Sequence, residues 1–358
     1  MSAKEVIIYG AGMSGLVTAF NLAGEGFSVL VREREPGFGG SRIFNPSTHV
    51  TPLDVEATSL YIGVDISPVF HPVDSISLYL HDLRLPLPAA GAYAVERSSR
   101  SSSLDALLYE KCREKGVEFE FERALRREEL DDIPPGTIIA CGLNPEAYDY
   151  LGIPYVKWYG WMARGESDKS DYAWIWLDEC ITEYGYISYC NGLYYNLLFS
   201  YGEEVDEECL ERYRDSMRRL EGVDHQEWEY ISGAVPLAVE DNPRLIRKGL
   251  VMCGTISGSM DPFMGFGISG GLVSGKVAAI AVTDRDAAAE EFARFNRNFA
   301  RVYRFKQDIW YGLRSRVDLL EDVAGILGTG SSVRLLGEGI HRGRKSSAIP
   351  GFSPVSCH

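Results

Sequence analysis

The 358-residue chain predicts an α/β protein: a strand–turn–helix for a dinucleotide at its start, a mixed or antiparallel sheet in its middle, and helices toward its end. Three observations carry this. A glycine-rich turn near residue 10 separates an apolar run from a small-residue helix. Aromatic and β-branched residues alternate around an Asn-Gly pair at residue 191. Beyond residue 287, apolar residues recur every three or four positions.

The first element is "EVIIYGAGMSGLVTAFNLAGEGFSVLVRERE". Val6 to Tyr9 suits a buried parallel strand. Gly10, Gly12 and Gly15 then form GxGxxG, with Met13 and Ser14 opening the helix. The first glycine permits the tight turn. The second admits a pyrophosphate to the backbone, and the third lets the helix pack on the strand. The helix N-terminus points its amides at the phosphates. A second strand ends at Glu33, 23 residues after Gly10, where a carboxylate accepts hydrogen bonds from a ribose diol. Arg34 follows it.

The middle element is Tyr172–Gly202, "YAWIWLDECITEYGYISYCNGLYYNLLFSYG". Asn191-Gly192 between apolar runs is a strong hairpin signal. The sheet is expected to bring Tyr159, Trp161, Tyr186 and Tyr189 to an apolar pocket, with Tyr186 and Tyr189 as candidate proton donors. In the third element, Phe292, Phe295, Phe299, Val302, Phe305, Ile309, Leu313, Val317 and Leu320 mark helix from 287 to 327. That helix either packs on the nucleotide domain or walls a hydrophobic tunnel or membrane-facing surface. The Gly/Ser-rich tail after it carries Arg334, Arg342, Arg344 and Lys345. Such a basic segment suits anionic lipid or plain solvent.

Composition bounds the function. A formal charge of −15 argues against a general nucleic-acid binder. No run of 18 apolar residues or secretory leader is visible, so a cytoplasmic protein is expected, with the tail as a candidate peripheral membrane contact. The seven cysteines lack CxxC spacing and read as reduced thiols, and the six histidines form no metal-binding cluster.

Four motifs carry a family resemblance. "REPGFGGSR" places Gly39, Gly40 and Ser41 after the acid, and this resembles the extended fingerprint of FAD enzymes with a glutathione-reductase type of Rossmann domain. "RSSRSSSLDALLYEKCREKG" resembles a segment of geranylgeranyl reductase-like flavoproteins whose arginine lies near the cofactor; Arg97 fits best by spacing, with Arg100 as the alternative. "GTIIACGLNP" is similar to the strand of those proteins whose end passes the FAD, here Ala140 and Gly142. "VMCGTISGSMDPFMGFGISGGLVSGKVAA" resembles the second FAD motif of geranylgeranyl reductases and aromatic hydroxylases, matching at Gly254, Asp261, Pro262, Gly265, Gly267 and Ile268. Thr255 stands where that motif usually has aspartate. "YGYISYCNG" loosely resembles a stretch lying over the flavin in the same group.

The resemblance implies the fold shared by p-hydroxybenzoate hydroxylase and geranylgeranyl reductases. It implies a discontinuous domain for noncovalent FAD (1–75, 95–155 and 235–285), a substrate sheet (76–94 and 156–234), and a C-terminal helical region with the basic tail (286–358). Gly265 and Gly267 would let the backbone approach the flavin ring, and the helix beyond would favour charge at its N1/O2 edge. With no second GxGxxG, electrons are expected from transient NAD(P)H or a ferredoxin-like donor. The leading activity is reduction of C=C bonds in an isoprenoid or lipid-like substrate. The alternatives are hydroxylation of an aromatic substrate, and flavin binding without turnover.

Overall fold

The computed structural model describes residues 4–237, 244–297, 299–320 and 322. The expected α/β architecture is observed, with three sheets. The first runs Leu250–Met252, Ile138–Ile139, Glu5–Tyr9, Ser28–Arg32, Glu118–Glu120, all parallel, with Ile246–Arg247 antiparallel on one edge. Its centre is buried on both faces. Val6, Ile8, Val29, Val31, Ile138 and Val251 face one core and Tyr9, Ile139, Leu250 and Met252 the other, so these strands read as apolar runs rather than alternations. Helices Met13–Gly24, Leu104–Glu114 and Ile268–Thr283 contribute Leu16, Leu104, Leu108 and Leu272 to the same core.

Small residues set how closely two of these helices cross. A Cβ on Gly275 would lie 2.6 Å from the Ser14 carbonyl oxygen. Thr18 Oγ1 lies 2.9 Å from the Gly275 carbonyl oxygen and can donate to it across the crossing. The glycines at 270, 271 and 275 therefore serve packing, against Ser259, Met13 and Ser14 respectively.

The second sheet has seven strands in the order Glu229–Pro236, Tyr155–Glu166, Leu193–Tyr201, Tyr184–Cys190, Tyr172–Leu177, Ser75–Leu80, Leu83–Leu87. All neighbours are antiparallel except Tyr172–Leu177 beside Ser75–Leu80. The Asn-Gly hairpin is as read. Asn191 and Gly192 have φ of 52° and 75°, the left-handed pair that a two-residue turn requires, and Cys190 faces Leu193 across it. A third sheet, Ser47–Pro52, Ala92–Arg97 and Phe70–Pro72, lies against the second, tied by Thr48 Oγ1 and Ser188 Oγ at 2.7 Å.

Strand parity divides the aromatic residues. Tyr184 and Tyr186 cluster with Trp158, Leu197 and Phe199. Tyr189 and Trp161 belong to the opposite cluster, under helix Glu207–Glu221, with Trp176, Tyr213 and Met217. Tyr186 and Tyr189 are three apart on one strand, so they must face opposite sides.

Two expectations need correction. Cys180 and Cys209 form a disulfide, although all seven cysteines read as reduced thiols. They are 29 apart in sequence, but the sheet and helix Glu207–Glu221 bring their Cα atoms to 5.7 Å. The C-terminal stretch is several pieces, not one helix: Arg285–Asn296, Phe299–Phe305, a π-helical turn Lys306–Trp310, and Tyr311–Arg314. Phe292 and Phe295 are buried, whereas Phe305, Ile309 and Leu313 are exposed. The basic tail lies outside the described residues. Among those residues no helix is long and apolar enough to cross a membrane.

Candidate functional site

A cavity of about 590 Å³ lies beside the carboxyl ends of the parallel strands and extends to the seven-stranded sheet. Four strand-to-loop transitions reach it: Gly10–Ser14 after Glu5–Tyr9, Glu33–Arg34 after Ser28–Arg32, Ala140–Gly142 after Ile138–Ile139, and Gly254–Thr255 after Leu250–Met252. This is where open α/β sheets place ligands.

The three glycines of the first turn differ in their surroundings. Gly10 has φ of 113° and lies against the Ala140 carbonyl, so it needs both the conformation and the space. Gly15 packs against the Gly10 carbonyl. Gly12 differs: a Cβ there would meet no atom within 4 Å, although Gly12 lines the cavity and precedes helix Met13–Gly24. The missing side chain leaves open space over helix amides that have no side-chain cap.

Glu33 closes this end. Its carboxylate accepts from Ala11 N at 2.6 Å and from Glu35 N at 3.0 Å, which fixes it against the glycine turn. Arg97 lines the wall and is held by Asp105, Nε to Oδ2 at 2.5 Å and NH2 to Oδ1 at 2.8 Å. Arg100 instead bonds the Asn191 carbonyl and pairs with Glu96, outside the cavity lining. Gly40, Ser41, Gly265, Gly267 and Ile268 also line the cavity, and a second helix N-terminus, Ile268–Thr283, opens there.

Five sequence candidates fall outside the lining: Gly15, Gly39, Asp261, Pro262 and Tyr189. Gly39, at φ of 115°, packs against Asn45, Ser98 and Ser99. Asp261 secures its own loop, accepting from Met264 N at 2.8 Å and donating its N–H to the Phe266 carbonyl. With Pro262 it borders a separate cavity of about 130 Å³ beside Lys306 and Tyr311. Tyr189 is turned away by strand parity, and Tyr159 and Trp161 likewise do not reach the main cavity. Gly265 takes a left-handed φ of 74°, but Gly267 has an ordinary φ of −99°, so only the first needs glycine for its backbone.

The far end is apolar with one polar corner. Trp158, Leu197, Phe199 and Met260 surround Tyr186 and His49. Tyr186 Oη lies 3.3 Å from His49 Nδ1, and Ser47 Oγ lies 2.9 Å from His49 Nε2. Burial, with the Arg97 charge adding to it, lowers His49 to about 3, so the ring is neutral near pH 7. Burial raises Tyr186 well above the usual phenol range. His49 and Ser47 were missed in the sequence; their alternation in "STHVTP" marks a strand but nothing there points to the cavity.

Comparisons place this architecture among known proteins. Residues 8–60 match the NAD(P)-binding Rossmann-like domain. The chain is similar over 96% of its length to 98% of a geranylgeranyl bacteriochlorophyll reductase-like structure from Thermoplasma acidophilum, with a TM-score of 0.68 and 15% identity. It is also similar to p-nitrophenol 4-monooxygenase from Pseudomonas putida (TM-score 0.61, 16% identity, 94% of this chain and 97% of that one). A third likeness is to 2-methyl-3-hydroxypyridine-5-carboxylic acid oxygenase (TM-score 0.62, 12% identity, 98% and 99%). The chain shares their fold. The resemblance read from the sequence therefore holds at that level. A sequence relative, the flavin-containing monooxygenase FMO GS-OX2 of Arabidopsis thaliana, is 41% identical over 58 residues, which are 16% of this chain and only 13% of that protein.

Proposed function

We propose that the protein is an FAD-dependent oxidoreductase that reduces a C=C bond in an isoprenoid or other lipid-like substrate. The observation that carries the cofactor is one continuous cavity joining Glu33, two helix N-termini and an apolar far end. Its residues fit FAD: the open space at Gly12 admits a pyrophosphate, and the fixed Glu33 carboxylate has lone pairs left for ribose hydroxyls. Segments 1–75, 95–155 and 235–285 are assigned to holding it, 76–94 and 156–234 to the substrate, and 286–358 to a C-terminal region.

FAD, once reduced, supplies a hydride at flavin N5. The chain's own part is to bind, orient and exclude water. The amides at Met13 and Ser14, on the cavity wall at the helix N-terminus, would hold the phosphates. The Ile268 helix N-terminus would favour negative charge on the ring, and the Thr255 hydroxyl could donate to phosphate or accept from a cofactor hydroxyl. Trp158, Leu197, Phe199 and Met260, which line the cavity, would enclose the apolar part of a substrate, and Tyr186 beside them would hold or pass the proton. Tyr189 is dropped from that role. Electrons come from NAD(P)H or a ferredoxin-like protein.

The polar corner of Tyr186, His49 and Ser47 favours a second reading, hydroxylation of an aromatic substrate with a polar substituent, and two of the similar structures are named as oxygenases. Flavin binding without turnover is the third. Acid extraction and chromatography identify the nucleotide; FMN alone, NAD alone, or no uptake of FAD would sink the cofactor assignment. Polyprenyl and phenolic substrates are then compared on the reduced protein. Saturated product without oxygen use supports the reductase, and substrate-coupled oxygen use replaces it with the hydroxylase.

A further inference from the structure

We propose that His49 is a positioning residue that holds the Tyr186 hydroxyl hydrogen, so that Tyr186 meets the cavity as a hydrogen-bond acceptor. The argument is one of counting donors, and it rests on reading the Tyr186 corner as the reacting end of the cavity. Ser47 has one hydroxyl hydrogen and two neighbours: the Phe44 carbonyl at 2.9 Å and His49 Nε2 at 2.9 Å. A carbonyl can only accept. When Ser47 donates to Phe44, its oxygen must accept from an Nε2–H, which leaves His49 Nδ1 as a bare lone pair 3.3 Å from Tyr186 Oη. Tyr186 then donates to Nδ1, and all three contacts are satisfied. In the reverse order Ser47 donates to Nε2, Nδ1–H donates to Tyr186, and the Phe44 carbonyl loses its only donor among the described residues.

The first order has one more hydrogen bond, which biases the imidazole toward the Nε2–H tautomer by roughly 2- to 10-fold. The groups facing His49 do not reverse this. Phe44 and Tyr195 contribute ring contacts at 5.8 Å and 5.6 Å, and burial, with the Arg97 guanidinium adding to it, keeps the ring uncharged. A neutral ring is a condition of the arrangement, because an imidazolium would have no lone pair for Tyr186.

The consequence is a polarity for the ligand. The corner takes an O–H or N–H, such as an alcohol or phenol, and presents a hydroxyl hydrogen only when the whole chain of bonds reverses. Ser47, which does not line the cavity, and the Phe44 carbonyl thereby decide what Tyr186 can recognise.

The test reads the tautomer directly and needs neither substrate nor turnover. Nitrogen-15 histidine spectra of the purified full-length protein, with and without FAD, give the Nε2–H to Nδ1–H ratio, with His49→Gln assigning the signal among the six histidines. The wild type should favour Nε2–H. Ser47→Ala removes the acceptor that selects it, and the ratio should fall to about one or below. Tyr186→Phe removes the partner of Nδ1 in both orders, one bond from each, so Nε2–H should stay in excess. A wild type dominated by Nδ1–H, a ratio that Ser47→Ala does not lower, or a Tyr186→Phe protein dominated by Nδ1–H overturns the proposal. Since the ratio is measured in either state of loading, failure to bind FAD would count against the cofactor assignment and leave this result standing.

Discussion

The substitution Gly12→Val separates binding from folding, because the structure assigns Gly12 to neither the core nor an unusual backbone. Its φ and ψ of −77° and 174° are extended and open to any residue. A Cβ meets nothing within 4 Å. On the protein side two small effects oppose each other. A poorer helix cap costs about 0.5–1 kcal/mol, and a stiffer unfolded chain returns about 0.4–1 kcal/mol. The net is within about 0.5 kcal/mol, and the apo-protein should melt within about 2 °C of the wild type. The ligand meets a different situation, since the isopropyl group stands in the space over the helix amides. Forced displacement costs about 1–3 kcal/mol, and one lost charge-assisted bond to phosphate about 1.5–3 kcal/mol. Together these predict roughly a hundred- to ten-thousand-fold weaker FAD binding. Flavin fluorescence titration and apo-protein melting on the same preparation measure both. Gly15→Ala is the control with the opposite expectation, because its Cβ runs into the Gly10 carbonyl and should lower stability by about 1–3 kcal/mol. Wild-type FAD affinity in folded Gly12→Val would refute the placement of the pyrophosphate.

The remaining predictions concern the walls of the cavity. Arg97→Met strands the fully buried Asp105 carboxylate and should cost about 3–5 kcal/mol in urea unfolding, with Arg97→Met/Asp105→Leu recovering more than half; no loss in the single variant would contradict the pairing. Tyr189→Phe removes a buried hydroxyl without a partner and should leave turnover unchanged with stability equal or up to about 1 kcal/mol higher, whereas Tyr186→Phe should impair turnover; equal losses in both would reject the facing read from the sheet. His49 is lowered to about 3 and His225 to about 4, burial being the main cause of each. Between the ordinary value near 6.5 and those values the unfolded chain binds protons that the folded chain does not. Stability should therefore fall as pH drops below about 6.5, by up to about 1.4 kcal/mol per pH unit per histidine. His49→Gln should flatten that slope, and an identical slope in urea melts from pH 6.5 to 4.5 would show that His49 is not neutral in the fold.

What could be read in advance follows from the range of each physical signal. The GxGxxG turn, the acid at Glu33 and the Asn191-Gly192 hairpin are local: their geometry is dictated by residues within a few positions, and glycine is where a left-handed backbone or close approach demands it. Arg97 was reachable because its partner Asp105 lies eight residues on, across one turn into a helix. The parity of Tyr186 and Tyr189 was also implicit in a period of two, yet which face met the cavity depended on what packed on the other side. There the deciding element is helix Glu207–Glu221, which claims Tyr189.

By itself, then, the sequence determined the nucleotide turn, the sheet with its hairpin, and the crowding of glycines at residues 265–275. Tertiary structure alone decided that Gly271 and Gly275 pack helix on helix, that Cys180 meets Cys209, and that Ser47 and His49 stand behind Tyr186. The reason is distance along the chain. Ser47 and Tyr186 are brought together by a pairing of sheets that no local propensity encodes, because it is settled by burying apolar surface over the whole molecule.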